Sequence, residues 1–176
     1  MASIQRLQPG HAEAYRALML DAYARHPDAF TSSVAEREAL PLAWWQARLS
    51  TDAQAADWVL GAFTGDTLAG AAGLSFDTRD KARHKATLFG MYVPPVQRGA
   101  GIGRQLVLAA LAQARQRPGV RQVLLTVTQG NTAAQRLYER CGFKAFGVEP
   151  RAVAVDGGFV NKVHMWCDLG LLASTD

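Results

Sequence analysis

The sequence lacks the features of exported, membrane-spanning or disulfide-rich proteins. Its 176 residues include two cysteines, Cys141 and Cys167, which form no Cys-x-x-Cys pair. A reduced, cytoplasmic protein is the simplest interpretation, although the sequence leaves a disulfide between them open. No apolar run approaches the ~20 residues of a membrane-spanning helix, and the first ten residues contain no apolar signal core. We therefore expect no membrane span and no export signal.

Metal-ligand clusters and nucleic-acid-binding stripes are also missing. The histidines show no spacing typical of metal ligands, so no metal is expected; they are His11, His26, His84 and His164. The net charge is +4, but the basic residues are scattered, and the one dense group, at 79–85, has no interleaved aromatic residues. We expect no nucleic-acid partner. A mildly basic surface is equally compatible with a small molecule that carries a polyphosphate.

What the sequence does contain is a pattern of short strands and amphipathic helices. Apolar residues make up 49% of the chain and charged residues 19%, which predicts one folded domain over residues 1–176. Periodicity and turn residues predict a mixed sheet with helices against it, in the α/β or α+β class. The predicted order is a strand at 3–7, helical segments at 9–26 and 30–50, strands at 57–65, 67–77 and 85–93, a helix at 102–117, a strand at 122–128 covered on both faces, a helix at 131–140 and a hairpin around 156–158.

Three glycines lie where the strand ending at Val93 gives way to the helix at 102–117: Gly99, Gly101 and Gly103. The first amides of a helix have no partner within it and carry the positive end of its dipole. Glycines let an anion approach those amides, and a neighbouring arginine, Arg98, adds charge. The loop therefore predicts a phosphate or pyrophosphate site, and a tight turn with close packing remains the alternative.

Two common phosphate-binding motifs do not fit this loop. A Walker loop requires Lys-Ser/Thr after its last glycine, whereas Arg104-Gln105 follow here. A dinucleotide fingerprint requires glycine at position 104 and an acidic residue about twenty positions later. The sequence at that distance is Val120-Arg121-Gln122, so both motifs are excluded by side-chain identity.

Read with a second motif, the loop resembles the GNAT superfamily of acyltransferases. The run "YVPPVQRGAGIG" contains the family's acetyl-CoA signature, Arg/Gln-x-x-Gly-x-Gly/Ala, at positions 98–103. The run "LLTVTQGNTAAQRLYERCGF" resembles the second family signature, a strand followed by Asn131, Tyr138 and Gly142-Phe143. The order of elements resembles the family across nearly the whole chain, although residues 1–55 match only in pattern.

The resemblance implies a fold and an acetyl-CoA site. The expected fold is a mostly antiparallel sheet of about seven strands, flanked by four to five helices and splayed at two parallel central strands, 86–93 and 122–128. Acetyl-CoA would lie in the gap, with its pyrophosphate on the amides of the glycine loop and its pantetheine arm beside the strand. The residues that the resemblance assigns to this cofactor are Met91, Tyr92, Val93, Arg98, Gly99, Ala100, Gly101, Ile102, Gly103, Arg104 and Asn131.

The resemblance also implies a reaction, the direct transfer of an acetyl group to a primary amine. Tyr138 would protonate the departing thiolate, and a strand amide near 91–93 would stabilise the oxyanion. Each helix residue has a structural alternative: Asn131 as a helix cap and Tyr138 as part of a buried helix face. A covalent route through Cys141 is less favoured, because no histidine is near it in sequence.

The chain departs from the family at the general base. Some members place a glutamate on the central strand, and the matching position here is Thr87, with no carboxylate between residues 86 and 93. Candidate bases elsewhere are His84, Glu149 and His164; alternatively, water removes the proton or the amine arrives neutral. The missing carboxylate slightly favours a second hypothesis, a non-catalytic CoA-binding sensor on the same fold.

Acceptor selection in the family usually involves the first helices and the last hairpin, here 30–45 and 149–163. Within these segments Trp44 and Trp45 could form a pocket wall, Glu36 and Glu38 could attract a cationic amine, and Arg151 could bind a carboxylate. The partner is expected to be a small-molecule amine or a peptide, with a homodimer left open. Phe89 and Met91 leave open a third hypothesis, transfer from another acyl-CoA.

Overall fold

The computed structural model of the protein describes residues 1–170. Within them the strands are β1 (Ser3–Arg6), β2 (Asp57–Thr64), β3 (Thr67–Phe76), β4 (Lys85–Tyr92), β5 (Gln122–Thr128), β6 (Lys144–Val155) and β7 (Gly158–Asp168). The α-helices are α1 (Ala12–Arg25), α2 (Val34–Glu38), α3 (Leu42–Arg48), α4 (Ile102–Gln116) and α5 (Thr132–Arg140). The predicted order of elements is confirmed. The helical segment at 30–50 divides into α2 and α3, with Pro41 at the N-cap of α3.

All seven strands form one sheet in the order β1-β2-β3-β4-β5-β7-β6. Its pairs are antiparallel except for β4 and β5, which run parallel. The mixed class and the mostly antiparallel seven-stranded sheet are therefore confirmed. The sheet resolves into a four-stranded and a three-stranded half that meet at this parallel pair.

The two halves of the sheet separate along the parallel pair. β4 and β5 pair only at their first residues, and the last paired position joins Thr87 to Leu124. Beyond Thr87 the remaining residues of β4 have no partner on β5. Backbone groups of both strands are therefore left unpaired in a gap at the centre of the sheet, which is the splay expected from the family resemblance.

A β-bulge shapes the wall of this gap. Gly73 of β3 pairs with Phe89, and Ala71 pairs with Tyr92, so β4 places two residues, Gly90 and Met91, opposite a single residue of β3. Gly90 has a φ of 57°, a left-handed conformation that glycine adopts without a Cβ clash. A bulge bends its strand and leaves part of the ladder unpaired. Here the bend lies in the part of β4 that borders the gap.

Helices cover both faces of the sheet. On one face α4 buries Leu106, Val107 and Leu111, and it packs mainly against β3 and β2. On the other face α1 and α3 bury Met19 and Trp45. That second face also exposes Thr126 of β5. The prediction that β5 is covered on both faces is therefore wrong for this position, since the space between β5 and the first helices is a cavity.

The described residues contain no disulfide, no metal-ligand cluster and no helix able to span a membrane. Both cysteines are buried free thiols. Across 1–170 no set of three His, Cys, Asp or Glu side chains is arranged to hold a metal ion. In the same part of the chain, no helix has the length and apolar character needed to cross a bilayer.

Candidate active site

Two cavities meet at the gap between β4 and β5. The first, here the large cleft, has a volume of about 1010 Å³ and lies between the glycine loop, the end of β4 and α5. The second, here the small pocket, has a volume of about 320 Å³ and lies between β4, β5 and the first helices. The residues that line both cavities are Ala29, Phe30, Met91, Thr128, Asn131, Ala134 and Tyr138. These residues therefore form the junction between the two cavities.

The glycine loop presents unpaired backbone amides to the large cleft. The first hydrogen bond of α4 runs from the Gln105 amide to the Gly101 carbonyl over 3.0 Å. None of the amides of residues 99–104 donates a hydrogen bond to another described group. Gly99 and Gly101 have φ values of 91° and 73°, which glycine tolerates best. Consecutive free amides at a helix N-terminus are suited to binding an anion.

The third glycine of the loop has a packing role. A Cβ at Gly103 would lie 3.3 Å from both Leu137 Cδ2 and Met91 Cε, so this glycine lets α4 approach α5 and β4 closely. For Gly103 the close-packing alternative therefore holds. Arg98 also has a structural contact, because its Nε donates to the Val93 carbonyl over 3.0 Å.

The helix α5 brings the second predicted motif to the junction. The Asn131 Oδ1 accepts a hydrogen bond from the Ala134 amide over 3.2 Å, so the predicted helix cap is present. Tyr138 is 8% exposed, and its ring packs edge-on against Phe143 at 5.9 Å. Burial raises the pKa of Tyr138 to about 12. Tyr138 is therefore a neutral phenol at the boundary of both cavities.

A buried lysine that sequence reasoning missed holds the loop between α1 and α2 at this junction. The Lys162 Nζ donates to the Ala29 carbonyl over 2.8 Å and to the Thr128 Oγ1 over 2.9 Å. Thr128 in turn donates to the Asp28 carbonyl over 2.9 Å. Burial lowers the pKa of Lys162. These contacts fix the segment that carries Phe30, which lines both cavities.

The small pocket combines aromatic, hydroxyl and guanidinium groups. Phe89 lines one wall, and Thr87 stands where the family resemblance led us to look for a glutamate. Arg37 of α2 and Arg48 of α3 also line it, and neither residue was predicted from the sequence. No Asp or Glu is among its described lining residues.

The structure brings together most of the residues predicted from sequence. Tyr138 and the predicted cofactor residues line the large cleft, except Ala100. Ala100 lies in the loop between Gly99 and Gly101 but is not among the lining residues. Its predicted contact would be through its backbone amide. Phe89 and Met91, the residues of the third hypothesis, line the small pocket.

The other predicted candidates lie outside the lining of both cavities. Glu149 and His164 contact each other, with the Glu149 Oε2 and His164 Nε2 atoms 2.8 Å apart on β6 and β7. His84 precedes β4, at the end of the strand far from the bulge. Trp45 is 1% exposed and belongs to the core. The remaining residues of this group are Glu36, Glu38, Trp44 and Arg151.

Comparison with known proteins decides the family. The sequence profile described as the acetyltransferase (GNAT) family matches residues 14–143. The chain belongs to the GNAT acetyltransferase family. A mycothiol acetyltransferase from Salinispora tropica is 30% identical over 142 residues, which are 80% of this chain and 44% of that protein. The chain therefore spans less than half the length of the curated mycothiol acetyltransferases that it matches.

Solved structures share the GNAT fold. The GNAT acetyltransferase from Streptococcus pneumoniae superimposes with a TM-score of 0.83 at 24% identity, over 94% of this chain and 98% of that chain. The yncA protein of Salmonella typhimurium, solved with its cofactor acetyl-CoA, gives a TM-score of 0.78 at 22% identity, over 100% of this chain and 98% of that chain. At these identities the likeness concerns the fold alone.

Proposed function

We propose that residues 1–176 form one acyltransferase domain that transfers an acetyl group from acetyl-CoA to a primary amine of a small molecule or peptide. One observation carries this proposal. Tyr138 and Met91 line both cavities, while the glycine loop, whose amides at 99–104 are free, lines the large cleft but not the small pocket. A ligand anchored at those amides can extend along the cleft to the point where the small pocket opens. A donor and an acceptor can therefore meet at Tyr138.

The residues present fit acetyl-CoA. Amides 99–104 would hold its pyrophosphate. The backbone of Met91 in β4 and of Val93 just after it would accompany the pantetheine arm, and Asn131, the N-cap of α5, would border that arm. The large cleft, at about 1010 Å³, has the volume of a site for a sizeable ligand. When bound, acetyl-CoA supplies an activated acetyl thioester.

In this proposal Tyr138 is the proton donor to the leaving thiolate. Its pKa of about 12 keeps the hydroxyl protonated throughout the physiological range. That pKa exceeds the ~8.5 of an ordinary thiol, so proton transfer from Tyr138 to the thiolate is uphill by itself. In the proposed step it is completed by the proton that the acceptor amine loses on acetylation, which returns to the phenolate. The backbone amides of the β4 bulge, where β4 has no partner on β5, are the candidates for stabilising the oxyanion.

The proposed acceptor amine reacts in its neutral form. Thr87 cannot serve as a base at neutral pH, and the small pocket contains no carboxylate among its described lining residues. The guanidinium groups of Arg37 and Arg48 disfavour a second positive charge nearby and so lower the pKa of a bound amine. The rate should therefore rise with pH until the bound amine is deprotonated.

Calorimetry tests whether the protein binds acetyl-CoA, and a matched pair of glycine variants tests whether the glycine loop is part of the binding site. Gly101→Ala and Gly119→Ala both force an alanine into a strained, left-handed backbone conformation, since the two φ values are 73° and 86°. Only Gly101 belongs to the amide cradle. We expect acetyl-CoA affinity to fall at least tenfold in Gly101→Ala and to stay within about twofold in Gly119→Ala. Equal affinities in the two variants would refute the cradle.

Acetyl transfer to an amine is tested by measuring thiol release from acetyl-CoA across a broad panel of amines. Turnover of any primary amine, with the acetylated product identified by mass spectrometry, supports the transferase. The lack of a carboxylate in the small pocket favours a second candidate, the non-catalytic CoA-binding sensor. Tight CoA binding without turnover of any amine would decide for the sensor.

A further inference from the structure

The small pocket contains two arginines on neighbouring helices. The Arg48 guanidinium carbon lies 4.7 Å from the centre of the Phe89 ring, which lines the same pocket. The guanidinium carbons of Arg37 and Arg48 lie 4.8 Å and 5.3 Å from the centre of the Trp44 ring. Trp44 lies outside the lining, and Trp45 behind it is core. The aromatic contacts therefore hold both guanidinium groups in place at the pocket wall.

Little negative charge opposes these two arginines. The nearest carboxylate to Arg48 is that of Asp57 at 3.9 Å, and Asp57 does not line the pocket. The Arg37 Nε is buried and has no hydrogen-bond partner among the described residues. Glu36, next to it in sequence, accepts a hydrogen bond from the Ser33 amide over 2.8 Å in a capping box. The glutamate therefore serves the helix terminus, and the small pocket keeps a net positive lining.

Hydroxyl groups complete the lining. Tyr23, Ser32, Thr87 and Thr126 all line the small pocket, and both arginines act electrostatically on the Tyr23 hydroxyl, which burial keeps neutral by raising its pKa. Guanidinium and hydroxyl donors around a small cavity are the groups that bind carboxylates in proteins. A polyamine would meet like charge at the same wall.

We propose that the acceptor is a small amine that also carries a carboxylate, such as a free amino acid, and that Arg37 and Arg48 bind this carboxylate. The inference rests on the proposed acetyl transfer. A volume of about 320 Å³ suits a small molecule. The carboxylate at the arginines leaves the amine of the same molecule free to lie towards Tyr138, at the junction of the cavities.

The test compares amino acids with their carboxamides, which differ mainly in the negative charge. Thiol release from acetyl-CoA gives kcat/KM for each pair, with spermidine as a cationic amine. We expect the acid to exceed its amide by about 10- to 100-fold, the range of a charge-assisted contact. This preference should fall at least fivefold in Arg37→Gln and in Arg48→Gln, and Arg37→Lys should retain part of it. Arg115→Gln removes the same charge from the exposed end of α4 and should leave the preference unchanged.

A ratio of two substrates on one preparation does not depend on the folded fraction of a variant. Wild-type protein that acetylates amides or spermidine as well as acids would overturn the inference while leaving the transferase intact. An unchanged preference in both glutamine variants would overturn the assignment to the arginines. Turnover of no amine, with acetyl-CoA still bound, would refute the transferase itself, and the inference would fall with it.

Discussion

Replacing Tyr138 with phenylalanine removes one hydroxyl at the junction of the two cavities. The hydroxyl donates no hydrogen bond to any described protein group, so the folded state loses no internal partner and the free energy of unfolding should change by less than about 0.5 kcal/mol. If the phenol is the proton donor, kcat should fall by about 10²- to 10⁴-fold. Acetyl-CoA affinity should stay within about threefold, because the amides that anchor the ligand are untouched.

Tyr92→Phe is the matched variant, because Tyr92 is a buried tyrosine in the same cleft with a different hydroxyl environment. Its hydroxyl donates to the Asp21 carboxylate over 2.6 Å. Losing this contact should lower the free energy of unfolding by about 1–3 kcal/mol, while kcat should fall much less than in Tyr138→Phe. The assay is thiol release at saturating acetyl-CoA, with urea unfolding on the same preparations. A kcat for Tyr138→Phe within about threefold of wild type would refute the assignment.

Three further perturbations test the surroundings of the site. A Cβ at Gly73 would overlap the Phe89 ring, so Gly73→Ala should raise the KM for the amine without changing acetyl-CoA affinity by calorimetry. Lys162→Met removes the donors to the α1–α2 loop, and urea unfolding should show a loss of about 1–3 kcal/mol, together with a higher KM for both substrates. Burial raises the pKa values of Tyr15 and Tyr138 to about 12. Between pH ~10 and ~12 the unfolded chain therefore loses phenolic protons that the folded protein keeps, and the free energy of unfolding should fall by about 1.4 kcal/mol per pH unit for each tyrosine. A stability that stayed flat across this range would contradict the burial of both phenols.

The order of elements and the free amides of the glycine loop could be predicted from the sequence because their signals are local. The helix α5 ends at Arg140 as predicted, shortly before Gly142 with its φ of 99°. Asn131 caps the same helix. The chemistry of the glycine loop follows from backbone amides and the missing Cβ atoms of Gly99 and Gly101. Neither property depends on a distant residue, so both can be identified before the fold is known.

The lining of the small pocket could not be predicted in the same way, because it depends on contacts between distant segments. Glu36, Arg37 and Glu38 are consecutive on a five-residue helix, and the sequence does not reveal which of the three faces β4. Glu36 accepts a hydrogen bond from the Ser33 amide in the capping box, and Arg37 is oriented by its stack on the Trp44 ring. The two glutamates suggested a negatively charged wall that attracts a cationic amine. The described wall of the small pocket instead carries the positive charges of Arg37 and Arg48.

Lys162 shows why the contribution of the α1–α2 loop to the junction was missed. It lies on β7, and its contacts are to residues 133 and 34 positions away along the chain. A lysine in a strand is usually read as solvent-facing, since burying its charge is costly without partners. Here two loop carbonyls and a threonine hydroxyl accept hydrogen bonds from the ammonium, which offsets that cost. The same contacts hold the α1–α2 loop against β5, so a buried charge on β7 helps to place Ala29 and Phe30 in the wall that the two cavities share.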